Sequence, residues 1–233
     1  MSLGPYRHGI DSMFVAHNLG DKDNMELENE LKTALEELRK SKERKFNQSV
    51  DLIVNLQKFS PKKDVVNLFV SVPHKIKEKK MAAFLEVKNP KLTTITPEEF
   101  KSYSEKKEIK KLVKNFDFFI AQASIMPKVA TVFGKVLGPA GKMPSPQLGI
   151  VAEATEKSLD NLKEKINKSI KIRARESSLK FCIGKQSMKN EDIIENIMTV
   201  YNAILKALPR EKDNIKNIEV KFSMTKPVKI KLK

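Results

Sequence analysis

The sequence predicts an α/β protein in which a middle segment of alternating strands and helices is set between two α+β ends. Three observations carry this. Residues 81–137 alternate apolar strand-like runs with amphipathic helical runs, the pattern of a largely parallel sheet. The flanking segments instead hold strands that alternate apolar with polar residues, the pattern of sheets with one open face. The chain has 233 residues and is 40% hydrophobic, enough for two small domains with real cores. The economical arrangement is a middle domain inserted into an outer one built from both chain ends.

The elements follow in order. MSLGPYRHGIDSMFVAHNLGD shows neither helical nor strand periodicity and no apolar h-region, so residues 1–23 read as a tail outside the fold rather than a secretory signal. Asp23 or Asn24 caps a first helix whose Met25, Leu27, Leu31, Ala34, Leu35 and Leu38 recur at helical spacing to about Arg39. SVDLIVNL (49–56) and VVNLFVSV (65–72) are strands joined by a Pro/Lys turn, and Pro73-His74 closes the second. The basic stretch KIKEKK leads into MAAFLEV (81–87), a continuous apolar run of the kind found in buried parallel strands. LTTI is a short strand, and TPEEFKSY is a helix start with Thr96 as cap and Pro97 in first position. EKKEIKKLVKNF is a lysine-rich helix with Ile109, Leu112, Val113 and Phe116 inside. DFFIAQ (117–122) is a strand and SIMPKVATVFGKVL a helix capped by Ser124. After a Gly/Pro loop come an amphipathic helix (156–169), strands at 169–176 and 179–184, and a long helix (190–208) ended by Pro209. Two strands at 215–224 and 226–233 finish the chain.

Charge narrows the partners. A net charge of +16 repels itself unless a polyanion screens it, so nucleic acid is the first expectation and an anionic membrane surface the second. No run of 18 apolar residues is present, so no membrane span is expected. Cys182 stands alone, which excludes a disulfide within the chain and suits a reducing compartment; its place in FCI suggests buried filler.

TVFGKVLGPAGKMPSP (131–146) has the composition of a phosphate loop but not its chemistry. Gly141-Lys142 is followed by Met143, which has no hydroxyl for magnesium, and position 136 is Val where the motif needs Gly. The segment also follows a helix rather than a strand, and Gly134, Gly138 and Gly141 miss the dinucleotide spacing. It reads as a stiff structural loop at a domain junction. His8, His17 and His74 form no constellation with Cys182, and no carboxylates stand in a distinctive pair. Neither catalytic residues nor a metal or cofactor is expected. The basic strands say more. Lys171, Arg173 and Arg175 share one strand face by period-2 spacing, and Lys221, Lys229, Lys231 and Lys233 alternate likewise. Same-signed strand faces in one small domain repel unless they face phosphates.

The loop VLGPAGKMPSP resembles the LGPRGKMPxP-type signature of the large-subunit ribosomal protein one family, proteins of the mobile stalk beside the tRNA exit site. Other blocks resemble that family in its order. Arg44 to Ser49 is similar to its R-x-F-T-Q-S strand entry and SVPH (71–74) to its L-P-H hinge. DFFIAQASIMP (117–127) is similar to its archaeal form, IGKQSM (183–188) to its VGxxxM, and KFSMTKP (221–227) to its K-x-TMGKP close. The archaeal and eukaryotic branch fits better than the bacterial one.

The resemblance implies an α+β two-layer outer domain over 24–73 and 155–233. It implies an inserted Rossmann-like three-layer α/β domain over 74–154, rotating about residues near 73–75 and 153–157. It implies a non-enzymatic constituent of the large ribosomal subunit that binds large-subunit rRNA, forms the mobile stalk, meets exit-site tRNA transiently and represses its own mRNA. Such a protein sits on the ribosome in the cytoplasm, is a monomer off it, and needs neither cofactor nor membrane; the alternative is a ribosome-assembly factor with the same module. Carried over by position, the rRNA contacts are Lys45, Phe46, Ser49, Lys221, Ser223 and Met224; Thr225, next to Met224, and Lys171 and Arg173 of the basic strand complete the candidate site. The interdomain loop is Gly138, Pro139, Gly141, Lys142 and Pro144. Two departures point to a weaker site. Thr225 replaces the family glycine, and a β-branched residue is costly at positive φ. Ala140 replaces an arginine common in the family and removes a cation.

Overall fold

The computed structural model describes residues 11–230 except 43, 62, 63, 65, 91, 104, 153, 154 and 175, with side chains from Asn24 onward. Arg175, Lys231, Lys233 and the side chains of His8 and His17 lie outside the described residues. In chain order the elements are α1 (Asp11–Arg39), β1 (Ser49–Leu56), β2 (Asn67–Ser71), β3 (Met81–Phe84), β4 (Thr93–Ile95), α2 (Lys106–Asn115), β5 (Phe118–Gln122) and α3 (Met126–Ala140). There follow β6 (Ile150–Val151), α4 (Glu156–Asn167), β7 (Ser169–Arg173), β8 (Ser178–Lys185), α5 (Asn190–Ala207), β9 (Ile215–Phe222) and β10 (Val228–Ile230). They divide into two compact units, one from the chain ends as far as His74 and from Lys171, the other Lys75–Ile170.

The outer unit carries an antiparallel sheet in the order β10-β9-β1-β8. Strict alternation in β1 buries Val50, Leu52, Val54 and Leu56 and leaves Ser49, Asp51, Ile53 and Asn55 half-buried on the other face. In register, Val50 opposes Phe222 and Leu52 opposes Val220, so the two central strands present one apolar surface. Leu31 and Leu35 of α1 and Ile193, Ile197, Val200 and Ile204 of α5 are buried helical faces in the same unit. Each such side chain contributes about 1.5–3 kcal/mol by leaving water. β2 and β7 form a separate two-stranded ribbon.

Helix α1 starts at Asp11, where the sequence suggested a tail through residue 23. The apolar period reports only the packed face of a helix, whose first buried residue among the described side chains is Leu27. Extending a helix costs little once it is nucleated, and no proline, and no strong breaker other than Gly20, interrupts residues 11–39.

The middle unit is built on a parallel sheet in the order β4-β3-β5-β6. Ala82, Phe84, Phe119 and Ala121 of its strands join Phe100, Ile109, Leu112, Val129, Phe133 and Leu137 in one core. Four aromatic rings meet there: Phe133 lies 4.9 Å from Phe84, 5.1 Å from Phe100 and 5.6 Å from Tyr103.

Helix α4, which the sequence grouped with the outer segment, lies in the middle unit. The Lys79 ammonium holds it there, donating to the carbonyls of Ile166 (2.7 Å) and Ser169 (2.6 Å), while the Lys79 N–H donates to Asn167 Oδ1.

Other local expectations are corrected. The TPEEF segment forms a 3₁₀ turn at Glu99–Tyr103, with the Thr96 N–H donating to Glu99 Oε2 at 3.3 Å. Ser124 does not cap α3; its hydroxyl donates to Glu86 Oε1 at 2.7 Å. Cys182 is half-buried opposite Asp51 rather than in the core, and burial pushes its thiol up.

The Gly/Pro segment is largely helix. α3 runs through Gly138 and Pro139 to Ala140, and the loop begins only at Gly141. Gly141 has φ 72°, its N–H donates to the Gly138 carbonyl (2.9 Å), and the Lys142 N–H donates to the Leu137 carbonyl (3.0 Å). That paired pattern is a Schellman helix end, which needs a left-handed residue where Gly141 sits. Pro139 costs only one helical bond in the last turn. Lys142 Nζ then donates to the carbonyls of Val113 and Phe116, both at 2.7 Å, and so closes the C-terminus of α2. Pro144 is buried.

Candidate nucleic-acid interface

Three strand ends of the outer unit meet at one place: the start of β1 and the ends of β8 and β9. Ser49 and Ser223 are joined reciprocally. The Ser49 N–H donates to Ser223 Oγ and the Ser223 N–H to the Ser49 carbonyl, each at 3.1 Å. Lys185 Nζ, from β8, donates to Ser49 Oγ at 3.0 Å. Two apolar side chains stand out of this surface, Phe46 at 53% and Met224 at 59% exposure. Lys45 is exposed and Lys221 half-buried. The combination is suited to RNA. Hydroxyls and cations meet phosphate and 2′-hydroxyl groups, and an exposed ring or thioether packs on ribose or base.

Gln48 sets this geometry and was missed among the sequence-derived site residues. It is fully buried. Its Oε1 accepts from the Met224 N–H (3.1 Å), its Nε2 donates to Gln186 Oε1 (3.3 Å), and its carbonyl accepts from the Gln186 N–H (2.8 Å). The β1 alternation, extended one step back from Val50, would have pointed it inward. Gln48→Leu leaves the Met224 N–H unpaired, so we expect a loss of about 1–3 kcal/mol in thermal stability together with weaker RNA binding. An unchanged melting temperature would contradict this placement.

Thr225 does not need the glycine conformation. Positive φ among the described non-glycine residues occurs only at Lys58 and Glu211. The Thr225 N–H donates to the Phe222 carbonyl (3.1 Å), closing a β-turn, and its Oγ1 accepts from the Phe222 N–H (2.9 Å). The strain argued from sequence is therefore absent, because the residue sits at the last position of the turn and its hydroxyl satisfies a strand-end N–H.

The structure adds two features of the cationic residues. Lys171 and Arg173 lie on β7, in the β2–β7 ribbon rather than in the sheet that carries the other contacts. Lys171 Nζ sits 5.0 Å over the Phe69 ring, a cation–π contact. The cationic strand face is also interleaved with acids. Lys221 opposes Asp51 and Lys229 opposes Glu219. Burial raises the Asp51 carboxyl above its usual range, partly offset by Lys221 and Lys185.

In the middle unit the strand order reverses between β3 and β5, where open α/β sheets receive nucleotides. Just past those strand ends stands the Glu86 carboxylate, accepting from Ser124 Oγ (2.7 Å) and Gln122 Nε2 (3.4 Å). A phosphate would meet negative charge there. His74, whose imidazole Nε2 is 2.8 Å from Glu195 Oε2, serves the outer unit: its backbone N–H and carbonyl are both bound by the buried Asn196 side chain.

Fold and site together describe a protein of mixed α/β architecture in two units, with an exposed apolar, hydroxyl and cationic surface at one sheet end of the outer unit. Comparison with known proteins makes this specific. The family model described as the Ribosomal protein L1p/L10e family matches residues 38–226, and the chain belongs to that family. It is 34% identical to the large ribosomal subunit protein uL1 of Pyrococcus abyssi, over 82% of this chain and 90% of that one. It is 36% identical to the protein of the same name from Thermofilum pendens, over 88% and 92%, and 33% identical to that of Korarchaeum cryptofilum, over 80% and 87%.

Proposed function

We propose that this chain, a structural constituent of the large ribosomal subunit, binds large-subunit rRNA through the outer unit. The convergence of Ser49, Lys185 and Ser223, with the neighbouring Phe46 and Met224 exposed, is the observation that supports this most. Family membership puts its work on the ribosome in the cytoplasm. In this reading the two units are separate working parts. The outer one anchors on a folded rRNA element, and the Lys75–Ile170 unit is the moving part of a stalk that attends tRNA leaving the exit site. The same outer surface would repress translation by binding a copy of the rRNA element in the chain's own mRNA. No reaction is catalysed.

The test is binding to a stalk rRNA fragment and to unrelated hairpins across a salt series. Specific binding should fall with salt by a log–log slope of roughly 0.7–0.9 per phosphate contact, and the stalk fragment should win throughout. Equal affinity for unrelated hairpins would remove the specific-site claim.

A further inference from the structure

Charge is segregated among the helices. α1, α4 and α5 each carry at least as many acidic as basic residues: eight against three, three against three and three against one. α2 carries five lysines and only Glu108, and α3, packed beside it, carries Lys128, Lys135 and no acid. All seven of these lysines are exposed. On α2, Lys107, Lys111 and Lys114 lie opposite the buried Ile109 and Leu112, with Lys106 and Lys110 to one side. The five fall within about 12 Å of helix axis.

This arrangement works against the helix itself. Lys106–Lys110, Lys110–Lys114 and Lys107–Lys111 are like-charge i,i+4 pairs, each costing roughly 0.2–0.5 kcal/mol. Lys106 and Lys107 also sit in the first turn, where the helix dipole disfavours cations. Glu108 relieves only Lys111, at 2.9 Å. α4, in the same unit, shows that a solvated helix here need not look like this.

We propose that the outer face of α2, with α3 beside it, is a second phosphate-binding surface, one that takes the backbone of structured RNA without reading its sequence. A polyanion turns the mutual repulsion of these lysines into counterion release. Lysines and Asn115 are the exposed residues of α2, and α3 adds Lys128 and Lys135 among small residues. Neither helix exposes an aromatic, an arginine or a large apolar side chain, whereas protein interfaces deplete lysine and rely on such anchors. Backbone-only contact also suits a double-stranded RNA, which is recognised mainly through shape and phosphates. The proposal stands on the middle unit's charge distribution and not on the outer-unit site.

The experiment uses the full chain and a blunt RNA duplex without loops, titrated over roughly 50 to 200 mM salt. One variant is Lys107→Gln/Lys111→Gln/Lys114→Gln. The other is Lys157→Gln/Lys165→Gln/Lys168→Gln on and just after α4, with the same change of net charge. Glutamine and lysine have similar helix propensity, so both should melt close to wild type. The α2 variant should lose about two to three units of log–log salt slope and the α4 variant almost none. Equal losses would mean that net charge alone acts, and no loss in either would mean that α2 meets no phosphate; both overturn the proposal. So would loss of binding to polyglutamate in the α2 variant with duplex binding intact, which would assign the face to acidic proteins. If the duplex behaves as expected while the stalk fragment fails against unrelated hairpins, the outer-unit reading falls and this one stands.

Discussion

Phe133→Ala should lower the stability of the middle unit by about 3–5 kcal/mol, a shift of more than about 12 °C in its melting transition. Phe133 has no exposed surface and stands at the meeting of Phe84, Phe100 and Tyr103. Removing its ring leaves a void that three other rings cannot fill without leaving their own contacts. The ring contacts also add roughly 0.5–1.5 kcal/mol per aromatic pair beyond area burial. Affinity for the stalk rRNA fragment, measured below the lowered transition, should not change, because Phe46, Gln48, Ser49, Lys185, Ser223 and Met224 all belong to the other unit. Calorimetry with a parallel binding titration checks both halves. A proportional loss of specific rRNA affinity would mean that the middle unit helps to build the site.

Phe46→Ala should do the reverse. Its ring is 53% exposed, so stability should move by no more than about 0.5 kcal/mol. If the ring stacks on a base or ribose, affinity should fall by about 1–3 kcal/mol, roughly five- to 150-fold. The salt slope should hold, because a phenyl ring neutralises no phosphate. Lys221→Gln offers the contrast, with a slope lower by roughly 0.7–0.9 if Lys221 meets one phosphate. A Phe46→Ala variant that binds like wild type would leave the exposed ring unexplained and weaken the assignment.

Much of the fold was legible because burial follows short-range pattern. The alternation of SVDLIVNL marked β1 to the residue, and the apolar spacing in EKKEIKKLVKNF marked α2 to within one or two. Errors fell where pattern and structure part company. α1 includes residues 11–23, which carry no regular apolar period, so the sequence pattern could not mark them as helix. GPAGK was taken for a loop because Gly and Pro usually break helices, whereas the glycine here ends one and the proline sits in its last turn. α4 was grouped with the outer segment because nothing in its own residues shows that Lys79, far off in sequence, caps it.

The candidate site was legible in its exposed members and not in its support. Phe46, Ser49, Ser223 and Met224 came from motif resemblance; Ser49–Ser223 and Gln48–Met224 hydrogen bonds bring the segments of the last three together, and Phe46 precedes Gln48 by two residues, exposed. Gln48 was within reach of the β1 alternation, but its partners Gln186 and Met224 and the Lys185–Ser49 bond are long-range, and sequence spacing carries no signal for which lysine reaches which serine across a sheet. Thr225 misled because its type was judged against a φ that the turn does not use. Lys171 and Arg173 stand on the β2–β7 ribbon, a placement that period-2 spacing within one strand does not disclose.

Amide hydrogen exchange of the full chain, free and with the stalk rRNA fragment, tests the central claim most directly. Bound RNA should slow exchange at residues 45–50, 185–187 and 223–226, strongest at the amides of Ser49, Ser223 and Met224, while the amides around Glu86 and Gln122 stay as they were. Protection confined to the middle unit, with none at the meeting of β1, β8 and β9, would contradict it.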